Sequence, residues 1–188
     1  LLTVSGNNAG RIFRISGGVN VALVGMTLRH GRVTTQDLPG GGAILVLQSS
    51  LTLNSMVLSN NTAPVDVLGL GGGICVDRGT LIVRTSSISN NAGGGIQAIS
   101  SGVDIAASTI SNNQEQGVYG GGSVSLPGSI TVMDSVIRDN TGRGIVNISG
   151  PTTVIRCTVM GNWYGINASS GNSTFILSQS IIRDNEPG

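Results

Sequence analysis

Nine acids, ten arginines and one histidine are the strongly polar groups of this chain, and lysine is absent. The grouping with the most chemical promise is His30, Asp37 and Asp66. An imidazole and two carboxylates can hold a divalent metal, or divide the roles of acid and base. The plainer reading is a solvated turn histidine and two loop acids, and no metal or catalytic set is assigned. Polysaccharide cleavage needs acids gathered on one face, or an acid beside a base. The other acids, Asp77, Asp104, Glu115, Asp134, Asp139, Asp184 and Glu186, fall at different repeat positions. Asp139 and Asp184 share a position but sit two repeats apart, with Gly161 between them, roughly 9–10 Å at strand spacing. Ile-Arg-Asp-Asn occurs at both places and reads as surface ion pairing. Neither glycine-rich loop is followed by Lys-Ser/Thr and a helix, so no phosphate cradle is expected. No cofactor is expected.

The elements that must position these residues come from a repeat: apolar-x-apolar-x-x-small-x-apolar-x-x-Asn. Leu81-x-Val83-x-x-Ser86-x-Ile88-x-x-Asn91 is followed 22 residues later by Val103-x-Ile105-x-x-Ser108-x-Ile110-x-x-Asn113. Seven copies end at Gly31, Asn61, Asn91, Asn113, Asn140, Asn162 and Asn185. The alternation has period 2 in short runs, broken by turn residues, with no helical period. One copy cannot bury its apolar face alone, whereas stacked copies make a continuous core. Connections of one or two residues suit a coiling chain with parallel pairing between coils. The predicted fold is therefore all-β: a single right-handed parallel β-helix over 1–188, about seven coils of about 22 residues. Asn61, Asn91, Asn113, Asn140, Asn162 and Asn185 are predicted to form an inward ladder at corners that need left-handed backbone angles. The glycine ahead of the next strand is assigned to the same bend.

Excess length marks insertions at 32–42, 62–73 and 120–129. The first two leave one corner in consecutive coils, and loops are where a repetitive scaffold carries function. The candidate binding lobe is His30, Thr34, Thr35, Gln36, Asp37, Asp66 and Leu68. Cys75 and Cys157 lie three coils apart, on the order of 14 Å, beyond disulfide reach. Leu45, Cys75, Tyr119, Val146, Val57, Val136, Ile82, Ile176 and Ile181 alternate away from the core. They are expected to offer apolar strand faces to partners.

Composition narrows the classes. A net charge of +1 gives no field for nucleic acid or an anionic membrane. No apolar run approaches the roughly 20 residues of a membrane span. Charged residues are only 10% and aromatics 3%, so the core must be built from Val, Ile, Leu and small residues. The chain opens in mid-pattern and reads as a piece of a longer protein. Contacts through its open ends, with other chains or flanking segments, are expected.

Gly41-Gly42-Ala43-Ile44, Gly72-Gly73-Ile74 and Gly94-Gly95-Ile96 resemble the GGA(I/L/V) half of the repeat in polymorphic outer-membrane autotransporter proteins. Ile88-Ser-Asn-Asn91 and Ile137-Arg-Asp-Asn140 resemble its FxxN half, with an aliphatic in place of Phe. More broadly, nearly the whole chain is similar to bacterial right-handed parallel β-helix repeat proteins. The resemblance implies a secreted or cell-surface, often adhesive, protein. The expected function is a non-catalytic extracellular structural or adhesive module. The alternatives are a glycan-active or glycan-binding module using the loops at 32–42 and 62–73, and a subunit of an extracellular filament or fibre. A cell-surface glycan is a possible ligand.

Overall fold

The computed structural model describes residues 2–34, 40–64, 71–123, 125–169 and 174–185. Their strands form three sheets of eight, seven and seven members, and each sheet takes every third strand of the chain. Sheet 1 runs from Leu2–Ser5 to Ile181–Arg183, sheet 2 from Phe13–Ser16 to Tyr164–Ala168, and sheet 3 from Asn20–Val24 to Phe175–Ser178. Neighbouring strands pair in parallel and in register. The chain is thus a three-sided right-handed parallel β-helix, as the alternation predicts, and no helix occurs among the described residues.

Register explains the core. Leu28, Leu58, Ile88, Ile110, Ile137 and Val159 stack through sheet 1 and are fully buried. Leu51 and Leu53 lie over Leu81 and Val83, then Val103 and Ile105, in sheet 3. Each apolar side chain meets a copy of itself from the next coil, so burial accrues with stacking. One member breaks the pattern. Thr152 stacks on Ile130 at 1% exposure, and its Oγ1 has no partner.

The inward asparagines form an unbroken chain of amides. Asn61, Asn91, Asn113, Asn140 and Asn162 each donate Nδ2 to the Oδ1 of the next member at 2.9–3.0 Å, the last reaching Asn185. The second Nδ2 proton goes to an aliphatic carbonyl of the preceding coil, as from Asn113 to Ile88 at 3.2 Å. Each Oδ1 also accepts the backbone N–H of the preceding member, as Asn113 does from Asn91 at 3.0 Å. A mid-ladder amide therefore uses all four of its hydrogen-bonding valences inside the core.

Two expectations about this corner need correction. The left-handed residue is not the ladder asparagine but the one before it: His30, Asn60, Asn90, Asn112, Asp139, Gly161 and Asp184, with φ of 52–64°. Asn, Asp, His and Gly are the residues that tolerate this region. The glycine ahead of sheet 2 is not placed there for the bend either. Gly73, Gly95, Gly117 and Gly144 are absent from the positive-φ set, yet a Cβ on any of them would stand 2.6 Å from a carbonyl oxygen of the next coil. The same Cβ would press within 2.9–3.3 Å of a ladder Nδ2. These glycines let the ladder approach the backbone.

A second ladder runs along the corner from sheet 3 to sheet 1. Ser86, Ser108 and Ser135 accept the amide of the preceding coil at 3.0–3.1 Å. Each hydroxyl donates to the carbonyl two residues earlier, at 2.6–2.8 Å. Cys157 occupies the same column, its Sγ donating to Ile155 O at 3.2 Å.

Candidate functional site

The corner between sheets 1 and 2 is where the repeat departs furthest from its minimal length. Isolated bridges Arg32–Thr62–Ala92–Gln114 continue the pairing one step past the ladder. Val33 and Ala63, the next residues in two of these coils, pack together and are buried. The chain re-enters at Gly40 and Gly71. Gly41 N donates to Gly71 O at 2.7 Å, which ties the two returning segments together. Arg11 donates to Gly41 O at 3.0 Å and Gly40 O at 3.2 Å.

These segments cover sheet 2 from outside. A Cβ at Gly41 would meet Ile44 O at 2.2 Å and Cys75 N at 3.1 Å; one at Gly71 would meet Ile74 O at 2.0 Å and Gln97 N at 2.7 Å. Leu45 and Cys75 alternate outward, but at 1% and 0% exposure they are buried beneath this cover. Val146, at 2%, is also buried. The expectation that these three present an apolar face is therefore corrected. Val57, Ile82, Tyr119 and Val136 are half-buried, while Ile176 and Ile181 are exposed. Gln97 lies in the same outward row, accepting from Gly71 N and Cys75 Sγ at 3.4 Å each. Burial, with Asp77 nearby, pushes the Cys75 thiol up to about 12. Cys157 is also raised by burial, and both cysteines are free.

Of the predicted lobe, His30 and Thr34 are described. His30 is half-buried at a left-handed corner, its N–H on Asn60 O at 3.2 Å, and Thr34 is exposed. Thr35, Gln36, Asp37, Asp66 and Leu68 lie outside the described residues. Among the described residues, no three His, Cys, Asp or Glu side chains gather to hold a metal.

The described aspartates all meet arginines. Asp134 takes a two-pronged contact from Arg156 of the next coil at 2.6 and 2.7 Å. That contact holds its carboxyl below the usual range. Asp104 pairs with Arg84 of the preceding coil at 2.5 Å, and Asp77 with Arg78 at 3.2 Å. Arg138 with Asp139 and Arg183 with Asp184 pair along the chain. These five aspartates are thus paired where they stand, within strands of sheets 2 and 3 as well as at corners.

A feature the repeat does not announce lies at the same corner, in later coils. Trp163, directly after the ladder residue Asn162, and Tyr164 are 43% and 40% exposed, their ring centroids 5.0 Å apart. Arg143, paired in register with Tyr164, places its guanidinium 5.9 Å from the Trp163 centroid and 5.6 Å from that of Tyr164. Gln116 stands one coil before Arg143, where Gly117 N donates to Arg143 O. Arg143 Nε and Gln116 Oε1 are buried without a hydrogen-bond partner. A depression of about 460 Å³ opens beside Arg143 and Tyr164, lined also by Ile166, Asn167 and Ala168. The signal in the sequence was the lone tryptophan, next to a tyrosine, where the three preceding coils carry Gly142–Arg143, Glu115–Gln116 and Gly93–Gly94.

No curated protein and no solved structure is a match for the chain. The family described as right handed beta helix region matches residues 33–186, which spans every coil from the first long loop to the end of the ladder. On that match and on three parallel sheets wound around one core, the chain belongs to the right-handed β-helix family.

Proposed function

We propose that this chain is a non-catalytic, extracellular structural and adhesive module of a bacterial surface protein, of the kind its autotransporter-like repeat suggests. One observation carries the reading: the five described aspartates are each engaged by an arginine. A hydrolase or lyase needs a carboxylate free to move a proton at the substrate, with its partner across a shared cleft. Here the described aspartates are taken up in ion pairs from strand and corner positions alike, and no three acidic, His or Cys side chains gather among the described residues. The amide and hydroxyl ladders lock each coil to the next and favour a stiff spacer. Contacts are then made from the sides of the helix, chiefly along the corner between sheets 1 and 2.

Two measurements test this. An antibody against the chain should label intact cells of the source organism as strongly as permeabilised ones. The purified chain, incubated with neutral and acidic polysaccharides, should release no new reducing ends and no unsaturated products. Labelling confined to permeabilised cells would sink the surface assignment, and sustained product release would sink the non-catalytic one.

A further inference from the structure

We propose that the corner formed by Gln116, Arg143, Trp163 and Tyr164 is a binding site for a neutral saccharide; this rests on the reading of the chain as a passive contact module. The rings set the first requirement. Arg143 lies over both rings, and Trp163 and Tyr164 still leave 43% and 40% of their surface to solvent. Aromatic rings left part-exposed beside a polar group favour a ligand with one apolar and one wet side. A pyranose has this character, with C–H groups on its faces and hydroxyls around its rim.

The unpartnered atoms set the second. Gln116 Oε1 is an acceptor in want of a donor, and Arg143 Nε is a donor in want of an acceptor. Buried polar atoms left unsatisfied are costly, so a ligand that completes both is favoured. A carboxylate serves only Arg143 and an ammonium only Gln116, whereas hydroxyls donate and accept. The formal charges at this corner also offset, one acid at Glu115 and one base at Arg143. The site has no surplus charge with which to select an anion.

The preceding coil is bare of side chains at the matching positions. Gly93 and Gly94 stand at this corner one coil before Glu115 and Gln116, so that coil adds no side chain of its own at these two positions. A linear glycan lying along the axis would pass from bare backbone to the polar pair and then to the rings.

Trp163 is the only tryptophan of the 188 residues, so the fluorescence of the intact chain reports this site alone. The chain would be titrated separately with cellohexaose, mannohexaose and xylohexaose, and with hexagalacturonate and a poly-glutamate peptide for comparison. The expected result is a saturable change with at least one neutral hexasaccharide, insensitive to salt. Gln116→Leu should weaken it about tenfold or more. Trp163→Ala, an exposed position, gives a second variant whose loss of binding is read by calorimetry. No saturable change with any of the three neutral sugars would overturn the proposal. So would a response confined to hexagalacturonate or poly-glutamate, or neutral-sugar binding untouched in both variants. Failure here, with intact cells labelled and no turnover, removes the site and leaves the scaffold reading standing; turnover removes the scaffold reading whatever the fluorescence does.

Discussion

Asn112 and Asn113 are chemically identical neighbours that the fold uses in opposite ways, so replacing each by glycine separates the ladder from the bend. Asn112 is exposed with φ of 54°. Glycine reaches that region freely, and its relief of left-handed strain roughly offsets its greater unfolded-chain entropy. The expected change for Asn112→Gly is within about 0.5 kcal/mol. Asn113 is fully buried. It donates to Asn140 Oδ1 at 2.9 Å and to Ile88 O at 3.2 Å, and accepts from the Asn91 backbone and Nδ2, each at 3.0 Å. Glycine removes all four bonds. At about 1 kcal/mol net each, plus the cost of stranded partners, Asn113→Gly should destabilise by roughly 4–5 kcal/mol. That is a large part of the roughly 5–15 kcal/mol a domain possesses. Urea unfolding followed by far-ultraviolet circular dichroism, with m-values compared, measures both variants. Equal losses in the two, or a loss below about 1 kcal/mol for Asn113→Gly, would refute the division of labour.

Thr152→Val keeps the shape while removing a buried hydroxyl without a partner, and should stabilise by about 1 kcal/mol in the same assay. Gly95→Ala drives a methyl to 2.6 Å from Gly117 O and 3.1 Å from the Asn113 amide, so a loss of about 2–3 kcal/mol is expected, read as a lower urea midpoint. Cys75 titrates near 12 in the folded chain against 9.0 unperturbed, so folding favours the protonated thiol. Its contribution is complete below pH 9 and fades as pH rises towards 12; iodoacetamide near pH 9 should therefore spare Cys75 in the native chain and label it in urea. Asp134 is held below its unperturbed 3.8 by Arg156, so its contribution is present above that pH and fades as acid protonates it. The pair is exposed, and Asp134→Asn should leave the urea midpoint at neutral pH nearly unchanged.

The fold was legible because the same alternation recurs with every coil. A single strand of this length is ambiguous, but seven aligned copies, six of them ending in asparagine, leave little choice. The corner chemistry was legible only to within one residue. At Asn60–Asn61, Asn90–Asn91 and Asn112–Asn113 the bend and the ladder carry the same side chain, so sequence cannot assign the roles. Asp139–Asn140 and Gly161–Asn162 held the clue, since there the left-handed member differs from the ladder member. The serine column was visible as a small residue, but its two hydrogen bonds depend on where the adjacent coil puts its amides. Leu45 and Cys75 were misplaced because their cover comes from the segments re-entering at Gly41 and Gly71, which strand alternation does not encode. Trp163, Tyr164 and Arg143 depart from the repeat, and a reading built on recurrence passes over what occurs once.

Everything proposed for this chain presupposes coils clamped to one another by inward amides. Hydrogen–deuterium exchange of the asparagine side-chain NH2 groups, resolved by nuclear magnetic resonance, measures that clamp directly. The Nδ2 protons of Asn91, Asn113 and Asn140 should exchange only through opening of the core, far more slowly than those of Asn60, Asn90 and Asn112. Comparable rates in the two sets would contradict the ladder, and with it the stiff spacer on which the functional reading depends.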